Sequence, residues 1–475
     1  MRNLTLLTDL YELTMTYGYD KLAHKDKEAV FDLFFRGSTE LSYAVVAGLE
    51  QAVDYLLNIE FNQDDVDYLR SLNLFDEDFL NNLNENFKFS GDVYAMPEGT
   101  IVYPNEPILT VKAPIIQAQF VETALLCIIN HQTLIATKAS KIVQNTTANV
   151  MEFGLRRAQG PDAGIYGARA AIISGCSSTS NVLAGKMFNV PVSGTHAHSW
   201  VMSFPDEITA FRAYAKLFPD ACLLLVDTYD TLNSGIPNAI KVFKELQAAG
   251  HKPLGIRIDS GDLAYLCNKA RDMLDEAGFT DAKICASGDI DENVLLALNA
   301  QGAKIDSYGI GTKLITSYSN PSLGGVYKLA AITENGKLVP KLKISDTTVK
   351  VTNPGLKKVV RFFDNVTGKA IADLIMLKDE PLPNGEPYRI FDPENVWKEK
   401  IVVDYHVKEL AIDVIKNGKL VYKLPTLQEI AAYHKVCIDQ MWEQYKRITN
   451  PHIYKVDLSQ KLYDLKLELL KKKGN

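Results

Sequence analysis

The sequence predicts an α/β protein centred on an irregular, truncated barrel of parallel strands. From about residue 132, short apolar runs are each followed by a Gly, Ser or Asp turn and then by a helical pattern, which is typical of a parallel sheet. The candidate strands are residues 148–153, 190–194, 221–227, 254–259, 283–287 and 305–311. Only six or seven strand–helix units are found, whereas a regular barrel has eight.

Two helices between the last three candidate strands have clear ends. Each follows an Asp or Ser that can cap the first turn, and each stops before a glycine that can end a helix. The predicted helices are residues 263–277, after Ser260 or Asp262, and residues 292–300, after Asp289 or Asp291. These borders support the alternation of strands and helices in this part of the chain.

The residue composition and the hydrophobic pattern change along the chain and predict three segments: residues 1–131, 132–340 and 341–475. Short β-branched and aromatic runs between Pro and Gly at residues 91–114 predict a small β-rich unit in the first segment. The last segment opens with a basic, strand-like stretch at residues 341–363. It then predicts an amphipathic helix from Thr426 to about Tyr445 and a solvated, lysine-rich tail.

Composition bounds the class of function. The 475 residues are 47% hydrophobic and 23% charged, as in ordinary globular proteins. A net charge of -7 argues against binding to nucleic acid or an anionic membrane, since either needs a basic face. The six cysteines include no C-x-x-C pair, and no signal or membrane-spanning run is found. We therefore expect a cytoplasmic protein with reduced thiols.

Chemistry-bearing residues follow the candidate strands. The carboxyl ends of parallel strands meet on one face of a barrel, so these side chains are expected to surround a ligand. They are Phe153, Arg156, Thr195, His196, His198, Asp227, Arg257, Asp259, Ser287, Gly288, Asp289, Gly309, Gly311 and Thr312.

His196 and His198 form an H-x-H pattern after one of these strands. In barrel hydrolases such a pair often holds a metal, but no further histidine follows a barrel strand here. Packing against Trp200 or capping of the next helix is the simpler interpretation of His198. Spacing alone leaves metal binding, packing and catalysis open.

Small residues at 287–289 and 309–312 predict phosphate-binding turns, because backbone N–H groups can approach an anion there. Arg257, between apolar neighbours, needs an anionic partner such as a substrate carboxylate, a phosphate or a nearby aspartate. Asp259 and Asp289 suit Mg²⁺ or ribose hydroxyls, with helix capping as the alternative role.

Five motifs in this order resemble the nicotinate phosphoribosyltransferase family, from about residue 3 to beyond residue 360. They are L-T-D-L-Y-E-L-T-M at 7–15, F-G-L-R-R-A at 153–158, G-T-H-A-H-S-W at 194–200, R-I-D-S-G-D at 257–262 and G-I-G-T at 309–312. The resemblance implies an irregular TIM-like α/β barrel joined to an α+β domain built from the N- and C-terminal segments. It also implies a homodimer with shared active sites.

The same resemblance implies the reaction. Nicotinate and 5-phosphoribosyl 1-diphosphate would give nicotinate mononucleotide and diphosphate, with ATP hydrolysis coupled through a phosphohistidine at His198 and with Mg²⁺ as cofactor. This reaction is the first step of NAD salvage from nicotinate.

Substrate-binding roles are likewise implied by the resemblance. The pyridine ring would lie between Phe153 and Tyr11 of the other subunit, and Thr195 and Arg257 would bind its carboxylate. Asp259 and Asp289 would bind the ribose or Mg²⁺, with Arg156, Ser287 and Gly288 as further substrate-binding residues. The 5-phosphate would lie at Gly309, Gly311 and Thr312.

Three alternatives remain at this stage. A nicotinamide phosphoribosyltransferase would be expected to carry an acidic residue in the pocket, whereas residues 193–196 offer none and Arg257 suits a carboxylate. A metal-dependent barrel hydrolase would use His196 and His198 but lacks further ligands. A non-catalytic nucleotide-binding module would be expected to have lost site residues, yet the set is complete.

Overall fold

The computed structural model describes residues 2–22, 24, 27–37, 41–345 and 351–473, apart from the side chain of residue 473. The chain forms two compact units, which we call the terminal unit (Met1–Leu134 with Ser322–Asn475) and the barrel unit (Ile135–Pro321). No helix within these described ranges has the length and apolar character needed to cross a membrane.

The N-terminal part of the terminal unit is mixed α and β. Its elements are α1 (Leu10–Lys21), β1 (Glu28–Phe35), β2 (Ala44–Val45), α2 (Leu49–Leu57), α3 (Gln63–Ser71), α4 (Glu77–Asn86), β3 (Asp92–Ala95), β4 (Ile101–Val102), β5 (Leu109–Pro114), α5 (Ile115–Phe120) and α6 (Glu122–Val143). Strands β3 to β5 confirm the predicted β-rich stretch at residues 91–114. The boundary between the units falls within α6.

Strands and helices alternate in the barrel unit. They are β6 (Asn149–Glu152), α7 (Pro161–Ile173), β7 (Ser178–Thr179), α8 (Val182–Phe188), α9 (His198–Met202), α10 (Glu207–Leu217), β8 (Leu223–Leu225), α11 (Ile236–Ala248), β9 (Gly255–Ile258), α12 (Leu263–Glu276), β10 (Lys283–Gly288), α13 (Glu292–Ala300), β11 (Ser307–Ile310) and α14 (Thr312–Ile315). This confirms the predicted α/β class.

The C-terminal part of the chain is mostly β. Its elements are β12 (Gly325–Glu334), β13 (Lys337–Pro340), β14 (Lys357–Asp364), β15 (Ala370–Leu377), β16 (Tyr388–Phe391), β17 (Glu399–Val402), β18 (Tyr405–Glu409), β19 (Ile412–Lys416), β20 (Lys419–Leu420), α15 (Leu427–Asp439), α16 (Glu443–Lys446), β21 (Val456–Leu458) and α17 (Gln460–Lys473). The predicted helix from Thr426 is α15, which ends earlier than expected, and the lysine-rich tail forms α17. Part of the predicted strand-like stretch, residues 346–350, lies outside the described residues.

Six parallel strands form the sheet of the barrel unit in the order β7-β6-β11-β10-β9-β8. The gap between the edge strands β7 and β8 is bridged by residues 191–196, which we call the closing segment. Pro191 O and Ser193 N bond to the backbone of Thr179, while the hydroxyl of Thr195 donates to Leu223 O at 2.7 Å. The strand predicted at residues 190–194 is thus a single bridge at Val192, which is why the barrel is irregular.

Helices α12 and α13 begin and end close to where their capping residues predict. Asp262 accepts from Tyr265 N at the start of α12, and Asp291 accepts from Val294 N at the start of α13. Gly278 and Gly302 follow these helices with positive φ, a conformation that costs glycine little. Strand β7 was missed by the sequence analysis, because two residues carry no periodic pattern.

The terminal unit joins both ends of the chain in one sheet. Its seven-stranded sheet has the order β13-β12-β1-β5-β3-β19-β20, so three strands from before the barrel unit lie between two pairs of strands from after it. Phe31 and Tyr327 stack at 4.8 Å between rings on β1 and β12. The sheet therefore includes residues 325–334, which the sequence analysis had assigned to the barrel segment ending at 340. Pairing with β1 is the physical reason for the difference.

Candidate active site

Most of the predicted site residues lie at the carboxyl ends of the parallel strands. Parallel register places Ser287 beside Gly309, and Gly309 beside Met151, which precedes Phe153 by two residues. Arg257 lies one strand further along, beside Cys285. The face that the sequence predicted is therefore formed by the ends of β6, β11, β10 and β9.

His198 is the first residue of α9, directly after the closing segment. Its Nδ1 lies 3.1 Å from the hydroxyl of Thr228. Its Nε2 lies 4.0 Å from a carboxylate oxygen of Asp227 and 4.0 Å from one of Asp259. The side chain is 39% exposed, so both ring nitrogens have polar neighbours and a reactant can still reach the ring.

Asp227 is a site residue to which sequence reasoning gave no role. Its Oδ2 accepts hydrogen bonds from Asp259 N at 2.9 Å and from the Ser260 hydroxyl at 2.7 Å. Its Oδ1 is buried, has no hydrogen-bond partner among the described residues, and is the atom 4.0 Å from His198 Nε2. Its place directly after β8 was the available signal, since carboxyl ends of strands carry site residues.

His196 has an environment opposite to that of His198. Its ring is buried, its Nε2 accepts a hydrogen bond from Leu225 N at 3.2 Å, and it meets the edge of Tyr214. Burial lowers the pKa of His196 to about 4, so the ring is neutral near pH 7. Its role is to attach the closing segment to β8.

The geometry does not support the metal-hydrolase alternative. The acceptor nitrogen of His196 is already bonded to backbone. Within the described ranges, no group of three or more His, Cys, Asp or Glu side chains is arranged to hold a metal ion. A hydrolytic zinc site commonly needs three protein ligands.

Arg257, Asp259 and Ser287 form a hydrogen-bonded triangle. Arg257 donates from Nε to the Ser287 hydroxyl at 2.8 Å and from Nη2 to Asp259 at 2.9 Å, and Ser287 donates to Asp259. Burial acts to raise the pKa of Asp259, but the hydrogen bonds from Ser287 and Arg257 outweigh it, so that pKa is lowered. The carboxylate therefore stays ionised and holds the guanidinium in place.

Phe153 packs against two glycines and an arginine. The Arg257 guanidinium lies 5.9 Å from its ring centroid. A Cβ on Gly309 would come within 2.5 Å of the ring, and a Cβ on Gly311 within 2.8 Å of the Phe153 carbonyl oxygen. Because Gly309 and Gly311 have no side chain, the Phe153 ring and backbone can lie directly against them.

The remaining predicted residues are less closely tied to this cluster. Thr195 uses its hydroxyl proton to bond β8, while Arg156 and Asp289 are exposed. Gly288 has φ +119° and Thr312 begins the short helix α14. Tyr11 is 45% exposed on α1 of the terminal unit.

Sequence comparisons identify the family. A sequence model of the nicotinate phosphoribosyltransferase family matches residues 148–367, and models of its N-terminal and C-terminal domains match residues 6–130 and 356–466. The chain is 49% identical to nicotinate phosphoribosyltransferase from Bacillus subtilis, over 98% of this chain and 95% of the relative. It is 36% identical to the Dictyostelium discoideum protein of the same name, over 97% and 87% of the two chains.

Solved structures agree. The fold is similar to human nicotinic acid phosphoribosyltransferase, with a TM-score of 0.85, 31% identity and coverage of 98% of this chain and 99% of the human one. A nicotinate-nucleotide pyrophosphorylase from Pyrococcus furiosus shares the fold at a TM-score of 0.71 and 22% identity, over 92% and 96% of the chains. With its motifs, its barrel and its full-length relatives in agreement, the chain belongs to the nicotinate phosphoribosyltransferase family.

Proposed function

We propose that this chain transfers the phosphoribosyl group of 5-phosphoribosyl 1-diphosphate to nicotinate, forming nicotinate mononucleotide and diphosphate. Family membership supports the reaction, and one observation carries the choice of an acid: Arg257 lies beside the Phe153 ring at the carboxyl ends of the barrel strands. A pyridine ring against Phe153 would bring its carboxylate towards a guanidinium, which suits a carboxylate better than an amide.

Nicotinate binding is completed by groups near this pair. Arg257 uses Nε and Nη2 within the triangle, so its remaining N–H groups are the ones assigned to the substrate carboxylate. The Thr195 hydroxyl points at Leu223 O and would have to rotate to donate to substrate. Arg257 is therefore the principal specificity residue, and Thr195 and the exposed Arg156 are secondary.

For the displacement at C1 of the ribose, the protein mainly has to position the reactants and stabilise the charges that develop. Loss of diphosphate leaves positive character at C1 of the ribose, so the nucleophilic pyridine nitrogen must be held in line with the leaving group. We assign the 5-phosphate to the backbone of Gly309, Gly311 and Thr312. Ser287 and Gly288 then lie beside the ribose.

Mg²⁺ fits the carboxylates of this face. Asp259 keeps one oxygen outside the triangle and Asp289 is exposed, and hard carboxylate oxygens suit a cation that also binds substrate phosphates. When bound, the ion would neutralise charge on the departing diphosphate. Asp259 and Asp289 are therefore the proposed ligands.

ATP coupling is assigned to His198. Carboxylates of Asp227 and Asp259 lie 4.0 Å from Nε2 and Thr228 lies beside Nδ1, so we assign the reactive tautomer as the one with its proton on Nε2 and its lone pair on Nδ1. Nδ1 would attack the γ-phosphorus of ATP, forming an N–P bond as the bond to the ADP oxygen breaks. Water later takes the phosphoryl group, and its hydrolysis drives mononucleotide formation.

A second subunit completes the proposed site. Tyr11 is half exposed on α1, where Leu10 and Met15 are also exposed. We assign Tyr11 to the face of the pyridine ring opposite Phe153, in the active site of the partner of a homodimer. Cross-linking that joins Tyr11 to a barrel unit of another copy would support this assignment, and a monomer with full activity would contradict it.

Product analysis tests the proposed reaction. The chain is incubated with labelled nicotinate or labelled nicotinamide, with 5-phosphoribosyl 1-diphosphate and Mg²⁺, with and without ATP. We expect nicotinate mononucleotide as the main product and a higher yield with ATP. A higher kcat/KM for nicotinamide, or no mononucleotide from either base, would overturn the assignment.

A further inference from the structure

A cavity of about 570 Å³ lies in the terminal unit. No part of the barrel unit lines it, and the proposed reaction does not use it. Strands β1, β15 and β21 form an apolar floor, and helix α17 forms a wall. The apolar lining residues that matter here are Phe34, Ile375, Val456, Leu458, Leu467 and Leu470. Its size is that of a small-molecule site, for which ~300–1,000 Å³ is usual.

Lys466 of α17 brings a positive charge to this lining. Its Nζ donates to the amide oxygen of Asn353 at 2.9 Å, and no carboxylate of a described residue lies within ion-pair distance. Burial lowers the pKa of Lys466, with Glu394 opposing this and Lys357 adding to it. An ammonium with a single neutral acceptor keeps N–H groups for another partner.

Lys357 lines the same cavity but, unlike Lys466, is paired with a carboxylate. Its Nζ lies 2.7 Å from Asp32 and donates to Gly355 O at 2.6 Å. Asp32 also accepts from the Thr110 hydroxyl at 2.7 Å. Because Asp32 pairs with Lys357, Lys466 is the cation of this cavity that has no direct ion pair among the described residues, with Glu394 as its nearest opposing charge.

We infer that this cavity binds a small monocarboxylate with an apolar body, with the carboxylate on Lys466 and the body over the floor of Phe34 and Ile375. A single anionic group matches the ammonium of Lys466. Additional negative charge would be repelled by the exposed carboxylate of Glu394, which also lines the cavity, so polyphosphates are disfavoured. Contact with a hydrocarbon group would remove the apolar floor from water, which is energetically favourable.

Octanoate is a suitable probe, since it joins one carboxylate to an apolar chain and does not resemble a pyridine. Calorimetric titration of the full chain is expected to show saturable binding at one site per chain. Lys466→Met removes the charge and keeps most of the volume, and should weaken binding at least about tenfold. Lys466→Arg should retain binding, as should Lys472→Met, a control on the exposed face of the same helix.

Leu467→Phe tests the cavity independently of the charge. The larger side chain narrows the space beside Lys466 and should weaken octanoate binding while leaving Lys466 in place, with thermal unfolding used to confirm that the variant folds. If Lys466→Met fails to fold, Leu467→Phe still tests whether octanoate binds in this cavity. Absence of saturable binding to the native chain, or equal binding by Lys466→Met or by folded Leu467→Phe, would overturn the inference.

Discussion

At the residue scale, His196 and His198 show how the local backbone decides the environment of a side chain: His196 ends the closing segment and His198 begins α9. They are separated by one residue, yet His196 is buried with Nε2 bonded to Leu225 N, whereas His198 is partly exposed between Thr228 and the carboxylates. The chain changes from extended to helical backbone at Ala197, so the His196 ring lies against Tyr214 while the His198 ring, on the first residue of α9, lies beside Asp227 and Asp259. Of the two rings, only that of His198 is exposed enough for a reactant to reach it.

His196 should remain neutral through the physiological range. Its pKa is lowered to about 4 by burial, so the unfolded chain binds a proton at a higher pH than the folded chain. The stabilising contribution is present above the ordinary histidine pKa of about 6.5 and is lost as the pH falls towards about 4. NMR of the histidine ring protons checks this, and a His196 midpoint near pH 6.5 would contradict the buried, neutral ring.

Asp227→Asn should impair phosphorylation of His198 without unfolding the barrel unit. The amide oxygen can still accept from Asp259 N, but the negative charge beside His198 Nε2 is lost, so the lone pair on Nδ1 is no longer favoured. We expect ATP hydrolysis to fall about hundredfold, the scale of a positioned acid–base partner.

The matched control is Asp220→Asn. Asp220 also contacts a histidine, His251, at 2.9 Å, but on an exposed part of the barrel unit. This variant should retain ATP hydrolysis. Equal rates in both variants would show that Asp227 does not position His198.

At the element scale, the barrel depends on close contacts between strand ends. Phe153 N donates to Ile310 O at 2.8 Å, and the Phe153 ring covers the Cα of Gly309. The closing segment replaces a strand between β7 and β8. Short strands and a single bridge therefore position the site residues. Small residues such as Gly309 at the strand ends leave room for the Phe153 ring.

Gly309→Ala should displace Phe153. The added Cβ would lie 2.5 Å from the ring, and overpacking of this kind costs about 1–3 kcal/mol. We expect a lower denaturation midpoint and a raised KM for nicotinate. Gly18→Ala is the control, because no atom lies within 4 Å of its Cβ in α1. A Gly309 variant with native stability and KM would contradict the proposed packing.

The sequence predicted the strands that have strong apolar patterns. It did not predict the parts of the barrel whose structure depends on hydrogen bonds outside a regular strand ladder. The runs at 254–259 and 283–287 correspond to β9 and β10, since buried parallel strands read as continuous apolar stretches. Strand β7 carries no such pattern, and the apolar run at 190–194 forms a single bridge at Val192 instead of the predicted strand. Asp227 was placed at a strand end but given no role, because the nearness of its oxygen to His198 depends on the hydrogen bonds that Thr195 and His196 make to β8.

At the scale of the whole molecule, the terminal unit contains a buried charged network apart from the site. Arg361 forms two hydrogen bonds with the carboxylate of Asp373, which also accepts from the Tyr454 hydroxyl at 3.0 Å. Glu106 is fully buried and accepts from Tyr103 N. Burial, together with the charge of Asp373, raises the pKa of Glu106 well above its ordinary value, so a protonated carboxyl is expected.

Glu106→Gln should make the chain more resistant to alkali. The raised folded pKa means that the contribution of Glu106 to stability is full below about pH 4.5 and is lost as the pH rises towards the folded pKa. In that window the native chain should lose about 1.4 kcal/mol per pH unit relative to the glutamine variant. Urea unfolding across the pH range measures the difference.

A surface substitution provides the control for this prediction. Glu443 is 81% exposed, so Glu443→Gln should follow the pH dependence of the native chain. A Glu106 variant that loses stability with pH as steeply as the native chain would show that Glu106 is ionised in the fold.

Phosphate mapping tests the proposed mechanism of the whole enzyme most directly. The chain is incubated with γ-labelled ATP, digested under alkaline conditions that preserve phosphohistidine, and analysed for the labelled residue, alongside His198→Ala. We predict acid-labile phosphate on His198 of the native chain, none in the variant, and uncoupled mononucleotide formation largely retained by the variant. Labelled His196, or nicotinate-dependent ATP hydrolysis that persists without His198, would contradict the account.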